Sequence, residues 1–142
     1  MKHIRVFAIA VCLLAGFALA YTASAQDHIA KATVPFNFNV GDKWVPAGTY
    51  IIAEDLTNPE EIIIRSEDSK VVLLSLAQSD DRRSGAGKLV FRKYGDQYFL
   101  HEVLCSVCGI DVAFPGSKHE KLARTHWEAG LLSPTDVYLA LK

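Results

Sequence analysis

The sequence predicts a mainly β protein, an antiparallel β-sandwich or small open barrel of six to eight strands with a C-terminal helix. Three observations carry that expectation. Thr33 to Val40 alternates strictly, with Val34, Phe36, Phe38 and Val40 on one side and Pro35, Asn37 and Asn39 on the other, the period of a half-buried strand. Further along, short runs of β-branched and aromatic residues are cut at short intervals by Gly, Pro, Asn and Asp, the texture of successive strands and turns. After Gly116 the apolar spacing lengthens to three and four behind a capping signal, and a helix begins.

Residues 1–25 precede the domain. Lys2 and Arg5 lead into an apolar run from Val6 to Ala20, and Ala23-Ser24-Ala25 places small residues where a signal peptidase reads. The pattern is that of a cleaved secretory signal; a run of about 15 apolar residues falls short of the roughly 20 that cross a bilayer. The mature chain is expected to begin at Gln26, to have no membrane span, and to reside in the periplasm or outside the cell. Cys12 leaves with the signal, and no Leu-x-Gly-Cys precedes a new N-terminus, which argues against a lipoprotein.

Removing 25 of 142 residues leaves 117, one domain (26–142) able to bury a sizeable core without a metal or a disulfide framework. Its 13 Lys and Arg (15 less Lys2 and Arg5) against 16 Asp and Glu give a net charge of −3. That is too mild to recruit a charged partner, and no basic stripe suits nucleic acid.

The elements follow in order. Pro35 cannot donate to a central ladder, so the strand over Thr33 to Val40 belongs at a sheet edge or carries its Pro on the unpaired side. That edge is a candidate for self-association. Gly41-Asp42 turns the chain, Trp44 and Val45 begin a short extended piece, and Pro46-Ala47-Gly48 turns it again before a strand over Thr49 to Glu54. Asn58-Pro59 ends that strand, and Ile62-Ile63-Ile64 marks a third. Glu67-Asp68-Ser69 leads into a fourth over Lys70 to Ala77, paired with the third as a hairpin. Gln78 to Gly87 has no apolar period and reads as the longest exposed loop. Lys88 to Tyr94 and Gln97 to Val107 flank Gly95-Asp96, which suits a type II′ turn. That register sets Phe91 opposite Leu100, Val90 opposite His101 and Leu89 opposite Glu102, in a hairpin apolar on both faces and therefore central. Ser117 and Glu120 form a capping box for a helix over about 117–129, with Leu122, Ala123 and Trp127 at helical spacing and Gly130 as its stop. The tail from Ser133-Pro134 fits either a short second helix or a terminal strand.

Candidate chemistry is sparse. Cys105-Ser-Val-Cys108 has the spacing of a reactive thiol pair or half a metal site. Haem attachment needs His at position 109, which is Gly, and a thioredoxin-like motif needs a helix directly after it. An oxidising compartment favours a structural disulfide; free thiols and thiol-redox or metal duty, with His101, His119 and His126 as further ligands, are the alternatives. His101, mid-strand, reads first as a partly buried imidazole. Asp80-Asp81-Arg82-Arg83 and the helix cations Lys118, Lys121 and Arg124 read first as solvated charge, the latter also as a contact for an acidic surface or headgroups. Trp44, Tyr50, Tyr94, Tyr98 and Phe99, with His101, either line a ligand cavity in a small barrel or fill a core. No nucleophile elbow, His-Glu-x-x-His pair or phosphate loop is present, so no catalytic residue or cofactor is assigned.

Three segments together, Val34-Pro-Phe-Asn-Phe-Asn-Val-Gly41, Val45-Pro-Ala-Gly-Thr-Tyr50, and Lys88-Leu-Val-Phe91 with Tyr94-Gly-Asp-Gln-Tyr-Phe-Leu100, resemble a set of small uncharacterised secreted β-rich proteins of acidobacterial type. The resemblance spans about residues 33 to 104 and implies an exported β-rich domain, with no activity, cofactor or catalytic residue to carry over. From Cys105 the chain departs from that pattern. The expected function is an exported non-catalytic binding or structural domain; the alternatives are an extracytoplasmic thiol-redox or metal-binding protein using the Cys-x-x-Cys pair, and a carrier of a small apolar ligand.

Overall fold

The computed structural model describes residues 29–55, 57–58, 60–79, 87–130 and 133–142. The expected signal over 1–25, the Asp80–Arg83 charge cluster and Pro59 lie outside the described residues. Within them the chain is mainly β. Its strands are β1 (Ile29–Val34), β2 (Phe38–Val40), β3 (Lys43–Val45), β4 (Gly48–Glu54), β5 (Glu61–Ser66), β6 (Val72–Leu76), β7 (Gln78–Ser79), β8 (Lys88–Tyr94), β9 (Gln97–Cys105), β10 (Ile110–Ala113) and β11 (Thr135–Ala140), with one described helix, α1 (Lys118–Ala129). Eight strands have four or more residues, within the expected six to eight; β2, β3 and β7 add three short ones.

The strands form a four-stranded sheet, β1-β4-β5-β6, and a seven-stranded sheet, β11-β8-β9-β10-β7, against which β2 and β3 are added at β9. All pairings are antiparallel except the single bridge from Asn39 of β2 to Phe99 of β9. Ala77 alone separates β6 from β7, so the chain passes there from one sheet into the other. On the opposite side the Lys142 N–H donates to the Lys31 carbonyl of β1 at 2.8 Å. The two sheets are thus joined along both flanks and enclose one core.

Aromatic rings from both sheets fill the space between them. Phe38 meets Tyr50 of the smaller sheet edge-on at 5.4 Å and Phe91 of the larger at 5.3 Å, the arrangement favoured by ring quadrupoles. Ile52, Ile62, Ile64, Val103 and Ile110 are buried with them, each from the inward parity of its strand. Tyr50 satisfies its buried hydroxyl by donating to the Pro46 carbonyl at 2.6 Å.

Several expectations are corrected. The alternation over Thr33 to Val40 persists in burial but not as one strand: β1 ends at Val34 and β2 starts at Phe38. Pro35 interrupts the ladder, so Val34 serves the smaller sheet and Phe38 the larger, while Phe36, partly buried, stacks on Tyr98 at 3.9 Å. β1 lies at a sheet edge, whereas β2, the other part of the expected edge strand, is paired on both sides, with β3 and β9. The β8–β9 hairpin turns at Gly95 with φ 60 and sets Phe91 opposite Leu100, but a register shift between Val90 and Phe91 then pairs Val90 with Glu102 and Leu89 with Val103. The extra residue is accommodated as a β-bulge, a tertiary feature that alternation cannot report. The expected exposed loop over Gln78 to Gly87 opens with β7, which pairs with β10. The tail is the strand β11, paired along β8. On α1, Glu120 is the buried residue and Ala123 and Trp127, on its face, are half-buried, whereas Leu122 is exposed, so one of the three apolar residues lies off the docked face.

Candidate functional site

Cys105 ends β9 and Cys108 lies in the turn before β10, with their sulfurs within disulfide bonding distance and their Cα atoms 5.2 Å apart. The bond does not lie where the chain leaves the sheet for the helix. Gly109, with φ 71, turns the chain back, and Ile110 pairs with Cys105. The disulfide therefore closes a hairpin. Its turn is also held by the Cys108 N–H donating to the Cys105 carbonyl at 2.9 Å and by the Ser106 hydroxyl donating to Asp111 Oδ2 at 2.9 Å. Cys105 is buried, and no group of three or more His, Cys, Asp or Glu suited to a metal occurs among the described residues.

The more open chemistry lies where α1 crosses the outer face of β8 and β9. The helix is anchored at its N-terminus from three sides. Ser117 Oγ accepts from the Glu120 N–H at 3.1 Å, and Asp42 Oδ1, in the turn between β2 and β3, accepts from the His119 N–H at 3.2 Å. These bonds satisfy two of the four free N–H groups of the first turn. That backbone bond from His119 holds the Asp42 carboxyl below its usual range. The third anchor is the buried Glu120 side chain, whose Oε1 accepts from the Tyr94 hydroxyl at 3.4 Å. Burial, then the Glu120 charge, raises the Tyr94 hydroxyl above its ordinary value. At the other end Trp127 donates from Nε1 to the Ser133 carbonyl at 3.2 Å and covers Gly95, where a Cβ would meet the indole at 2.9 Å.

This docking leaves two clefts with Tyr94 shared between them. One, of about 530 Å³, lies between α1 and the hairpin tip and is lined by Asp96, Gln97, His119, Leu122, His126 and Trp127. The other, of about 230 Å³, gathers Arg92, His101, Lys121 and Arg124 with Glu120 and Gly116. Arg92 Nε is 3.6 Å from Asp136, and Arg124 Nε is 3.7 Å from Glu128. His101 Nε2 lies 3.6 Å from Glu102, and its Nδ1 is buried without a hydrogen-bond partner. The smaller cleft thus collects three permanent cations and an imidazole from β8, β9 and α1 around Glu120, with Asp136, Glu128 and Glu102 beside Arg92, Arg124 and His101.

Of the aromatic candidates, Tyr94 and His101 share this cleft. Tyr50 is a core residue that also borders a groove at the β5–β6 turn, Trp44 is 63% exposed, and Tyr98 stacks on Phe36. Phe99 is buried edge-on against Tyr94, and the six do not line one cavity. Lys121 and Arg124, read from sequence as a cationic face, do reach the cleft. Arg92 and Glu120 were not signalled as site residues: Glu120 carried only its capping spacing, and Arg92 shares a strand face with Val90 and Tyr94 whose covering depends on where the helix docks. Compared with protein-family models, curated proteins and solved structures, the chain matches none.

Proposed function

We propose that the chain is an exported, non-catalytic β-domain that binds a small anion, a phosphate, sulfate or carboxylate group, in the cleft formed by Arg92, His101, Lys121 and Arg124. The observation that carries this reading is the convergence of those four side chains, from three separate elements, on one concavity. Guanidinium groups present fork-shaped donors matched to such oxyanions. A volume of about 230 Å³ is below that of typical drug-sized pockets, which favours a compact polar group over an apolar ligand. Filling of the intersheet space by Phe38, Tyr50 and Phe91 weighs against the apolar carrier, and the burial of Cys105 weighs against thiol exchange, which needs an accessible thiolate.

Titration of the purified protein with phosphate, sulfate and small carboxylates, followed by calorimetry and by the amide signals of residues 116–124, tests the assignment. Binding should weaken with salt and fall at least about tenfold, about 1.4 kcal/mol, in Lys121→Ala/Arg124→Ala. Absence of binding, or equal binding by that variant, refutes it. Export is tested separately: N-terminal sequencing of the extracytoplasmic fraction should begin at Gln26, and retention of residues 1–25 in a membrane fraction would refute it.

A further inference from the structure

The outer face of the four-stranded sheet carries an apolar surface that nothing in the anion-cleft reading uses. On β6, Val72, Leu74 and Leu76 are 57%, 50% and 64% exposed. The cross-strand register continues Leu74 through Ile63 and Ala53 to Ile29, so the aliphatic row crosses the whole sheet. The same strand is open at its edge: among the described residues β6 pairs with β5 alone. Ser66 donates to the Val71 carbonyl and Ala77 to that of Glu60, which puts the β5-facing peptide groups on odd-numbered residues. By the alternation of an antiparallel ladder, the N–H and C=O groups of Val72, Leu74 and Leu76 face away from β5. Edge strands are ordinarily blunted by charge, Pro or a bulge, and Val-Leu-Leu-Ser-Leu has none of these.

We propose that this edge is a homodimer interface, at which two copies pair β6 antiparallel about a two-fold axis through Leu74 and join their four-stranded sheets into one. Leu74 then meets its own equivalent, and Val72 meets Leu76 of the second copy while Leu76 meets its Val72, the reciprocity that an isologous contact requires. Charge complementarity favours a second copy as the occupant. Arg65 is opposite Val72 and Glu61 is opposite Leu76 in the β5–β6 register. The two-fold therefore aligns Arg65 of one copy with Glu61 of the other in one cross-sheet row, three strand spacings or roughly 14 Å apart, so that opposite and not like charges flank the seam on both sides of the axis. The β1 edge is a poorer candidate, because Lys142 already donates to the Lys31 carbonyl there.

Sedimentation of the purified wild-type protein should show a dimer that dissociates on dilution. Leu74→Lys, which brings two ammonium groups together at the axis, should halve the mass while leaving the circular dichroism unchanged, with Leu76→Lys as the second variant should the first not fold. Ile29→Lys, on the same face at the far edge, should remain dimeric. Independently of any variant, the wild-type amides of Val72, Leu74 and Leu76 should exchange hydrogen more slowly at high than at low protein concentration. A wild type monomeric up to millimolar concentration, a dimeric Leu74→Lys or Leu76→Lys, or concentration-independent exchange would overturn the proposal. Loss of the dimer in Ile29→Lys would overturn it in favour of face-to-face stacking.

Discussion

On the outer face of the seven-stranded sheet α1 roofs β8 and β9, whereas among the described residues no element covers the outer face of the four-stranded sheet. On β8 and β9 the roof makes both sides of the strands interior: Phe91 and Leu100 belong to the intersheet core, and Tyr94 and Phe99, edge-on at 5.9 Å, form a buried pair outside it. On β5 and β6, Ile62, Ile64 and Leu73 are buried while Leu74 remains half exposed. The uncovered pair is the richer in aliphatic side chains, with seven in the eleven residues of β5 and β6 against five in the sixteen of β8 and β9. The difference teaches that composition sets how much apolar surface a sheet offers, whereas covering decides how much of it stabilises the fold.

That contrast can be broken most directly in the core. Phe38→Ala removes a ring that touches both sheets and should cost about 3–5 kcal/mol. Leu74→Ala on the bare face and Asn39→Ala beside Phe38 should each cost under about 1 kcal/mol in the monomer. Denaturant midpoints at low protein concentration measure all three, and equal losses would show that the intersheet core and the outer faces are not distinct.

Replacing both cysteines by Ala should have a smaller effect than Phe38→Ala. A closed loop of about four residues removes little unfolded-state entropy, so the loss should be at most about 2 kcal/mol. Alkylation and mass spectrometry of freshly exported protein should find no free thiol. Two alkylated thiols, or stoichiometric zinc, would restore a redox or metal role.

The roof itself is tested by Tyr94→Phe, which leaves the buried Glu120 carboxylate without the hydroxyl that donates to it and should cost about 1–3 kcal/mol at neutral pH. Leu122→Ala, on the exposed side of the same helix, should change stability by less than about 0.5 kcal/mol. If Leu122→Ala is the worse of the two, the helix docks by its apolar residues rather than by its carboxylate.

The smallest effect belongs to the β5–β6 turn. Hydrogen bonds from Ser66 and then from Lys70 lower the Asp68 carboxyl from 3.8 to about 2. Because the folded value is depressed, its contribution is present above about pH 3.8 and is lost as the pH falls toward 2. Asp68→Asn should therefore flatten the acid limb of a midpoint-against-pH curve over that interval. An unchanged limb would show that the turn does not hold the ionised carboxylate.

Local pattern was enough wherever neighbours in sequence set the structure. The Ile62–Ile64 strand, its hairpin with Val72–Leu76, the Gly95 turn and the Ser117 cap were legible because side-chain parity, glycine's access to positive φ and a hydroxyl within reach of a helical N–H all act within a few residues. The parity of Val34, Phe38 and Val40 was legible too, but which sheet each would serve was not, since Pro35 breaks the ladder and the new partner, β9, lies about sixty residues away. The β8–β9 bulge, the hairpin behind the Cys105–Cys108 bond and the strand state of Thr135–Ala140 likewise depend on partners distant in the chain. So does the cleft. Arg92, His101, Lys121 and Arg124 have no common spacing and meet only because Glu120 docks against Tyr94. The sequence by itself determined the β class, the turns and the inward residues of each strand, since these follow from short-range sterics and period. Tertiary structure alone decided which outer face is roofed and which cations converge, because both depend on long-range packing that no local period encodes.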